Sequence, residues 1–270
     1  MMKKITYLFL TACVCSAFLT SCGNGMENSD STASSAAVEP VVADVASLSK
    51  ESHGYGQGVQ TDEQNRTLGA LDFNKEFGKY NAMAISEDTE NITLTFDQGY
   101  ENGYTSKILD TLKEKNVKAT FFLVQDYAER NPELVQRMID EGHRIGNHSV
   151  HHYSMPTLSE QTCRDEIMGL HQYIKENYGV NMTQFRPPMG EYSEQSLALT
   201  DECGYETVLW SFAYADWNVD DQPEPSGALD KLISAAHPGA VYLLHSVSST
   251  NAQILGDMID GIRAKGFEFN

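Results

Sequence analysis

The chain runs to 270 residues and carries 38 acidic against 19 basic side chains, a formal net charge of −19. That excess speaks against nucleic acid or an anionic lipid surface as the main partner and leaves a neutral or locally zwitterionic polysaccharide open. The length beyond the N-terminal tail suits one domain.

Lys3, Lys4, the apolar run Ile5–Leu19 and the ending Leu19-Thr20-Ser21-Cys22 predict a cleaved export leader over residues 1–22. The run falls short of the roughly 18 residues that read as a membrane span. Its ending resembles a bacterial lipoprotein signal, with Cys22 lipidated and holding the protein to the membrane on its extracytoplasmic side; ordinary secretion with a chance cysteine is the alternative. Loss of Lys3 and Lys4 with the leader takes the charge to −21. Residues 23–50, rich in Ser, Ala and Val without periodicity, read as a flexible tether. Residues 51–90, with Leu68, Leu71, Phe73 and Phe77, read as an ordered N-terminal extension packed on a main domain of residues 91–270. Cys163 and Cys203, the cysteines remaining beyond Cys22, are expected as buried free thiols.

From Asn91 onward short apolar runs alternate with longer amphipathic ones, as in a parallel sheet with crossover helices. Strand Ile92–Phe96 precedes a helix over Thr105–Lys115, and strand Ala119–Val124 precedes a helix capped by Asn131 with Pro132 in its first turn. Thr157-Leu158-Ser159-Glu160 has capping-box form ahead of a long helix ending at Tyr178-Gly179. Strand Gln184–Arg186, a helix from Ser193 to Cys203 stopped by Gly204, strands Thr207–Trp210 and Ala240–Leu244, and a last helix opened by Asn251 complete the pattern. Phe267–Phe269 follows Gly266, which ends that helix.

Asp97, His148, Arg186 and His245 fall at or just past the C-terminal end of a strand, and Asp216 in the loop after another. In a barrel of β/α units that face builds the active site. Asp97 with His148 and His152 offers two nitrogens and a carboxylate, the set that lets a divalent metal activate water. The histidines stand at i, i+4, so one helical turn would aim both at a single ion. His143, His171 and His237 lack such context and read as ordinary surface or helix histidines. Phe212, Tyr214 and Trp217, in a long loop over 212–228, could stack on sugar rings or equally pack the barrel top.

Five short motifs in order now resemble the polysaccharide deacetylases of NodB-homology type, carbohydrate esterase family four: Thr95-Phe96-Asp97-Gln98-Gly99-Tyr100, His148-Ser149-Val150-His151-His152, Arg186-Pro187-Pro188-Met189-Gly190, Asp216-Trp217 and Leu243-Leu244-His245. Within that family FDQGYENGY, FRPPMGEYSE and WSFAYADW look like the delta-lactam-biosynthetic de-N-acetylases of spore-forming bacteria, and so does residue range 62–80. The resemblance implies a distorted (β/α) barrel and metal-dependent hydrolysis of the N-acetyl group of N-acetylmuramic acid in the peptidoglycan glycan strand, leading to muramic δ-lactam. The protein is expected to act as a monomer. A deacetylase of N-acetylglucosamine or chitooligosaccharides, or a non-catalytic glycan-binding lipoprotein on the same fold, are the alternatives; Asp97, Arg186 and His245 all being present speaks against the last.

The resemblance also assigns roles. Asp97 is the general base, Arg186 holds it ionised, His245 protonates the leaving amine and Asp216 supports the imidazolium. His148 and His152 are the metal ligands, with Zn²⁺ the expected ion; that His151 is not one rests on the family motif alone. Gln98 stands where most members carry a metal-binding aspartate, so the ion is expected to be held less tightly or to complete its shell with water or Asp97. Ala213 stands where the fourth motif usually begins with Asp, which makes that motif the least complete and leaves a loop solvation residue as the alternative reading of Asp216. Pro188, Met189 and Gly190, with Tyr214 and Trp217, are the expected substrate-binding residues.

Overall fold

Alternation of fully enclosed strands with one-sided helices sets the architecture of the computed structural model, which describes residues 44–270. The leader, Cys22 and most of the tether lie outside the described residues. Among the described residues no helix is long and apolar enough to cross a membrane. Residues 45–47, at the end of the segment read as tether, form a 3-10 turn whose Val45 is buried and whose carbonyl accepts from Gln195.

In chain order the elements begin with β1 (His53–Gly54), α1 (Leu68–Phe77), β2 (Ala82–Met83), β3 (Asn91–Gln98), α2 (Thr105–Glu114), β4 (Thr120–Leu123), α3 (Gln125–Arg130), α4 (Pro132–Asp140) and β5 (Arg144–Asn147). They continue with α5 (Glu160–Tyr178), β6 (Gln184–Phe185), β7 (Glu191–Tyr192), α6 (Glu194–Glu202), β8 (Glu206–Val208), β9 (Phe212–Ala213), α7 (Pro225–Ser234), β10 (Val241–His245), α8 (Ser249–Ala264) and β11 (Glu268–Phe269). Eight strands pair in the order β2-β8-β6-β5-β4-β3-β10-β9, all parallel, and β11 adds to the start of β3. The two ends of this run do not pair, so the (β/α) barrel is open and distorted.

Burial explains the pattern. Ile92, Leu94 and Phe96 on one face of β3 and Thr95 and Asp97 on the other are buried, as are Phe121 and Leu123 against Thr120 and Phe122 in β4, so both strands are covered on both faces. The helices bury single stripes, Ile108, Leu109 and Leu112 in α2 and Leu255, Met258, Ile259 and Ile262 in α8, at the spacing of one helical face. The extension joins through β1, antiparallel to β7, and through a cluster of Phe73, Phe77 and Tyr192 with Tyr55 and Trp210.

Several sequence expectations are corrected. Asn131 holds the N-cap position of α4 with Pro132 in the first turn, but its side chain makes no cap bond and its amide donates to the Tyr127 carbonyl. The box at Thr157 does not form: Ser159 is the cap of α5, accepting from the Thr162 amide, while Thr157 closes a separate 3-10 turn. α8 starts ahead of Asn251, with Ser248 as cap accepting the Asn251 N–H. A box absent from that reading joins Ser193 and Ser196 at α6. His143 and His237 are buried rather than superficial: His143 Nδ1 accepts from the Ala119 amide, and His237 bonds Ser211 and the Ala235 carbonyl. Cys163 is buried and Cys203 half-buried, both free.

Candidate active site

Because the sheet is parallel, the C-terminal ends of its strands share one rim. β3 and β10 are neighbours there, and their register sets His245 directly opposite Asp97. Asp97, His148, His152 and His245 line one pocket of about 740 Å³ at this rim. A second cavity of about 790 Å³ lies at the other ends of the strands, lined by His143, Arg144, Gln184 and Glu206 among others. The first is the site, because only there do the paired acid–base groups meet.

Alternation along β3 puts Thr95 and Asp97 on one face, and Arg186, just past β6, reaches both. Its Nη1 donates to Asp97 Oδ1 at 2.7 Å and to Thr95 Oγ1 at 2.8 Å, while Nε and Nη2 donate to the carbonyls of Val208 and Leu209. Its guanidinium lies 4.2 Å from the Phe122 ring centre and is fully buried. Burial raises the Asp97 pKa, but Arg186, with His148 and His245, outweighs it and holds the carboxyl below its usual range.

His148 and His152 come together, but not on a helical turn. The segment after β5 is a loop in which Ser149 (φ 72°) and His152 (φ 60°) are left-handed. Such conformations are uncommon for these residues, and the loop holds them by local bonds. Asn147 Oδ1 accepts from the Ser149 amide and Ser149 Oγ from the His152 amide, each at 2.9 Å. Glu166 of α5 clamps His151 through both its backbone N–H and its ring, so His151 turns away from the pair.

The two Nε2 atoms end 3.2 Å apart. His148 gives its Nδ1–H to the Arg186 carbonyl at 2.7 Å, leaving its Nε2 lone pair bare, and Asp97 Oδ2 stands 3.5 Å from it. Two nitrogens each about 2.0–2.1 Å from one tetrahedral ion would be separated by roughly 3.3 Å, so the imidazole pair fits a divalent ion. Burial pushes the His148 pKa down to about 4 and also lowers that of His152, keeping both rings neutral, as ligands must be. Among the described residues no three His, Cys, Asp or Glu side chains form a full ligand cluster. The protein therefore provides an open pair beside a carboxylate already committed to Arg186.

Gln98 is not brought to this pair. It projects from the face of β3 opposite Asp97, lies outside the pocket lining, and gives its Nε2 to Ser246 Oγ. Its Oε1 is buried without a partner.

On the other side of the pocket His245 donates Nδ1–H to Asp216 Oδ1 at 2.7 Å, and Asp216 Oδ2 accepts the His245 backbone N–H at 2.8 Å. Asp216 is fully buried. Burial lowers the His245 pKa, and the bond and charge of Asp216 more than reverse it, so the pKa is raised. Asn251, unforeseen from the sequence, donates to Asp216 Oδ2 at 2.6 Å and accepts from the Tyr214 hydroxyl. Tyr214 lines the pocket while bonded in this way; Trp217 is 61 % exposed at its rim, and Phe212 is packed into the core. Met189 (φ 59°) and Gly190 line the pocket, whereas Pro188 is buried and does not. Tyr55, Gly56 and Gln57 of the extension also line it, another feature the sequence motifs did not mark.

The arrangement sets a carboxylate held ionised by Arg186 opposite an imidazole whose pKa Asp216 raises, on adjacent strands, with the His148–His152 pair of the loop after β5 beside the carboxylate. Comparisons with known proteins agree with this chemistry. A family profile described as polysaccharide deacetylase matches residues 85–208. The chain is 43 % identical over 193 residues to the peptidoglycan-N-acetylmuramic acid deacetylase PdaA of Bacillus subtilis, covering 71 % of this chain and 73 % of that one. The solved PdaA structure, titled a family 4 carbohydrate esterase, superposes with a TM-score of 0.78 at 38 % identity, covering 83 % of this chain and 96 % of that one. A solved peptidoglycan N-acetylglucosamine deacetylase matches with a TM-score of 0.67 at 32 % identity, covering 72 % and 91 %.

Proposed function

The chain belongs to the polysaccharide deacetylases of carbohydrate esterase family 4, hydrolases by chemistry, and on that premise we propose that it removes the N-acetyl group of N-acetylmuramic acid in peptidoglycan, so that the freed amine can close on the lactyl carboxyl as muramic δ-lactam. The observation that carries the hydrolytic part is the pairing of Asp97 and His245 across β3 and β10, each with its own buried counter-group. The muramic part is supported by likeness to an enzyme named for that sugar, whose structure matches a larger share of this chain than the glucosamine deacetylase does.

An acetamide needs an activated water, charge stabilisation at its oxygen and a proton for the departing nitrogen. His148 and His152 are the residues that would hold a divalent ion, Zn²⁺ by donor type, and that ion when bound supplies Lewis acidity to the acetamide oxygen and the water. Asp97, kept ionised by Arg186, takes the proton of the attacking water through Oδ2, the oxygen Arg186 leaves free. His245 carries its proton on Nε2, because Nδ1–H is spent on Asp216, and delivers it to the nitrogen as the carbon–nitrogen bond breaks. Acetate and a free amine are the products. Asp216 balances the imidazolium and, with Asn251, fixes the ring plane.

One observation favours N-acetylglucosamine as substrate instead: among the described residues no Lys or exposed Arg lines the pocket to meet a lactyl carboxylate. Mass spectrometry of muropeptides after incubation with the purified protein, with and without added divalent metal, decides between them. Acetyl loss from muramic residues is expected; loss confined to glucosamine residues would refute the muramic reading. We further propose export and membrane anchoring through lipidated Cys22, which mass analysis of the membrane-extracted protein tests; an unprocessed leader or an unmodified secreted form would refute it.

A further inference from the structure

The family profile begins at residue 85, yet Tyr55, Gly56 and Gln57 contribute to the wall of the catalytic pocket. That part of the wall is supplied by the extension rather than by the motifs that do the chemistry. We infer that this clasp is the specificity wall of the pocket, and that the notch at Gly56 receives the lactyl substituent of a muramic residue; the inference rests on the muramic deacetylase reading above.

The clasp is built as a fixed surface. The Tyr55 backbone N–H donates to the Gly190 carbonyl at 2.9 Å, and its hydroxyl donates to the Trp210 carbonyl at 2.6 Å. Both polar atoms of the Gln57 side chain are engaged: Nε2 donates to the Ala213 carbonyl at 3.1 Å, and Oε1 accepts the Trp210 indole N–H at 2.9 Å. The Tyr55 ring meets Phe73 and Trp210 edge-on, with centroids 5.2 and 5.1 Å apart. Helix α1 bears on the clasp so closely that a Cβ at Gly69 would stand 2.6 Å from the Gln57 carbonyl oxygen. Such a surface is held from behind and cannot retreat from a substrate.

Its middle is empty by contrast. A Cβ added at Gly56 would meet nothing within 4 Å, so bare backbone faces open space between two anchored residues. Muramic acid differs from glucosamine by a lactyl ether on C3, the carbon next to the one bearing the acetamide. The branch must therefore lie within a few ångströms of the reacting carbonyl, against some wall of this pocket. Asp97, the two ligand histidines and His245 serve the acetamide itself and would do so for either sugar. The rigid clasp with an open centre suits the extra branch, and Gln57 and Tyr55 fix the width of the notch.

The test is the ratio of kcat/KM on a muramoyl glycan oligomer to that on a chitooligosaccharide of equal length, measured for the full protein, Gly56→Val and Gln57→Ala, each with its melting temperature. Filling an apolar contact by a methyl or two changes discrimination by about 10–200-fold, so Gly56→Val should lower the ratio by about tenfold or more. Gln57→Ala, which frees the wall, should also lower it, through a rise in KM. Should Gln57→Ala fail to fold, Gly56→Val decides alone, because a Cβ at residue 56 meets nothing within 4 Å and its melting temperature reports whether the fold is kept. A wild-type enzyme active on the muramoyl oligomer, with a ratio unchanged in Gly56→Val, would overturn the wall and leave the proposed substrate standing. A wild-type enzyme inactive on that oligomer would overturn the substrate and the notch together.

Discussion

Replacing Asp216 by Asn removes one charge from a fully enclosed position while keeping the side-chain shape. The carboxylate lies 2.7 Å from His245 Nδ1, and both of its oxygens accept hydrogen bonds from donors that an amide can satisfy only in part. Unit charges about 4 Å apart attract by about 4 kcal/mol at an effective dielectric near 20, so loss of the Asp216 charge lowers the His245 pKa. The His245 side chain is 24 % exposed, so solvent screening weakens that attraction. His245 acts in its protonated form, and activity is therefore lost as pH rises through its raised pKa; in Asp216→Asn that alkaline limb of kcat/KM should move to lower pH. kcat at neutral pH should fall by about 10²–10³, within the range for loss of a general acid. The same coupling stabilises the fold. A group with a raised folded pKa contributes fully below its unfolded value of about 6.5 and fades as pH rises through the folded one, so the stability gap between wild type and variant should narrow in alkali. An alkaline limb that stays in place in Asp216→Asn would refute the proton-donor role of His245.

Asp97→Asn should lower kcat by about 10²–10⁴ with an unchanged circular dichroism spectrum; near-normal turnover would move the base elsewhere. His148→Ala should abolish calorimetric Zn²⁺ binding, since it removes one of only two imidazoles in the pair; retained affinity would place the ion at another site. Gly190→Ala puts a carbon 2.7 Å from Trp210 Cη2 at a residue with φ of +67°. It should cost roughly 1–3 kcal/mol in denaturant titration, and an unshifted midpoint would show that Trp210 has room to move.

What the sequence revealed and what it hid follow different physics. The strand–helix alternation and the polar residues at strand ends were legible because apolar periodicity and local motifs record burial directly. The i, i+4 spacing of His148 and His152 suggested a helical turn, but spacing does not encode φ, and the left-handed turns at Ser149 and His152 depend on hydrogen bonds to Asn147 and Ser149 within the folded loop. Gln98 looked like a weakened ligand from its place in the motif; its opposite orientation becomes evident once β3 is seen to stay regular through that residue. Asn251 lies only six residues beyond His245, but its bond to Asp216 needs the loop before α7 to fold back. The clasp had no local signature, since Tyr55 and Gln57 meet residues more than 150 positions away.

The direct register of Asp97 and His245 also bears on how the enzyme fails when heated. Base and acid belong to adjacent strands of the interior ladder, so their spacing is maintained by the part of the protein with the highest protection and is lost only with global unfolding. His148 and His152 sit instead on a loop with left-handed backbone at Ser149 and His152, anchored by a few side-chain bonds. On warming, the ability to retain an ion should decline ahead of the cooperative transition while the proton-transfer pair stays assembled. Early thermal inactivation would then be reversible, and recovery on cooling would depend on the supply of metal rather than on refolding.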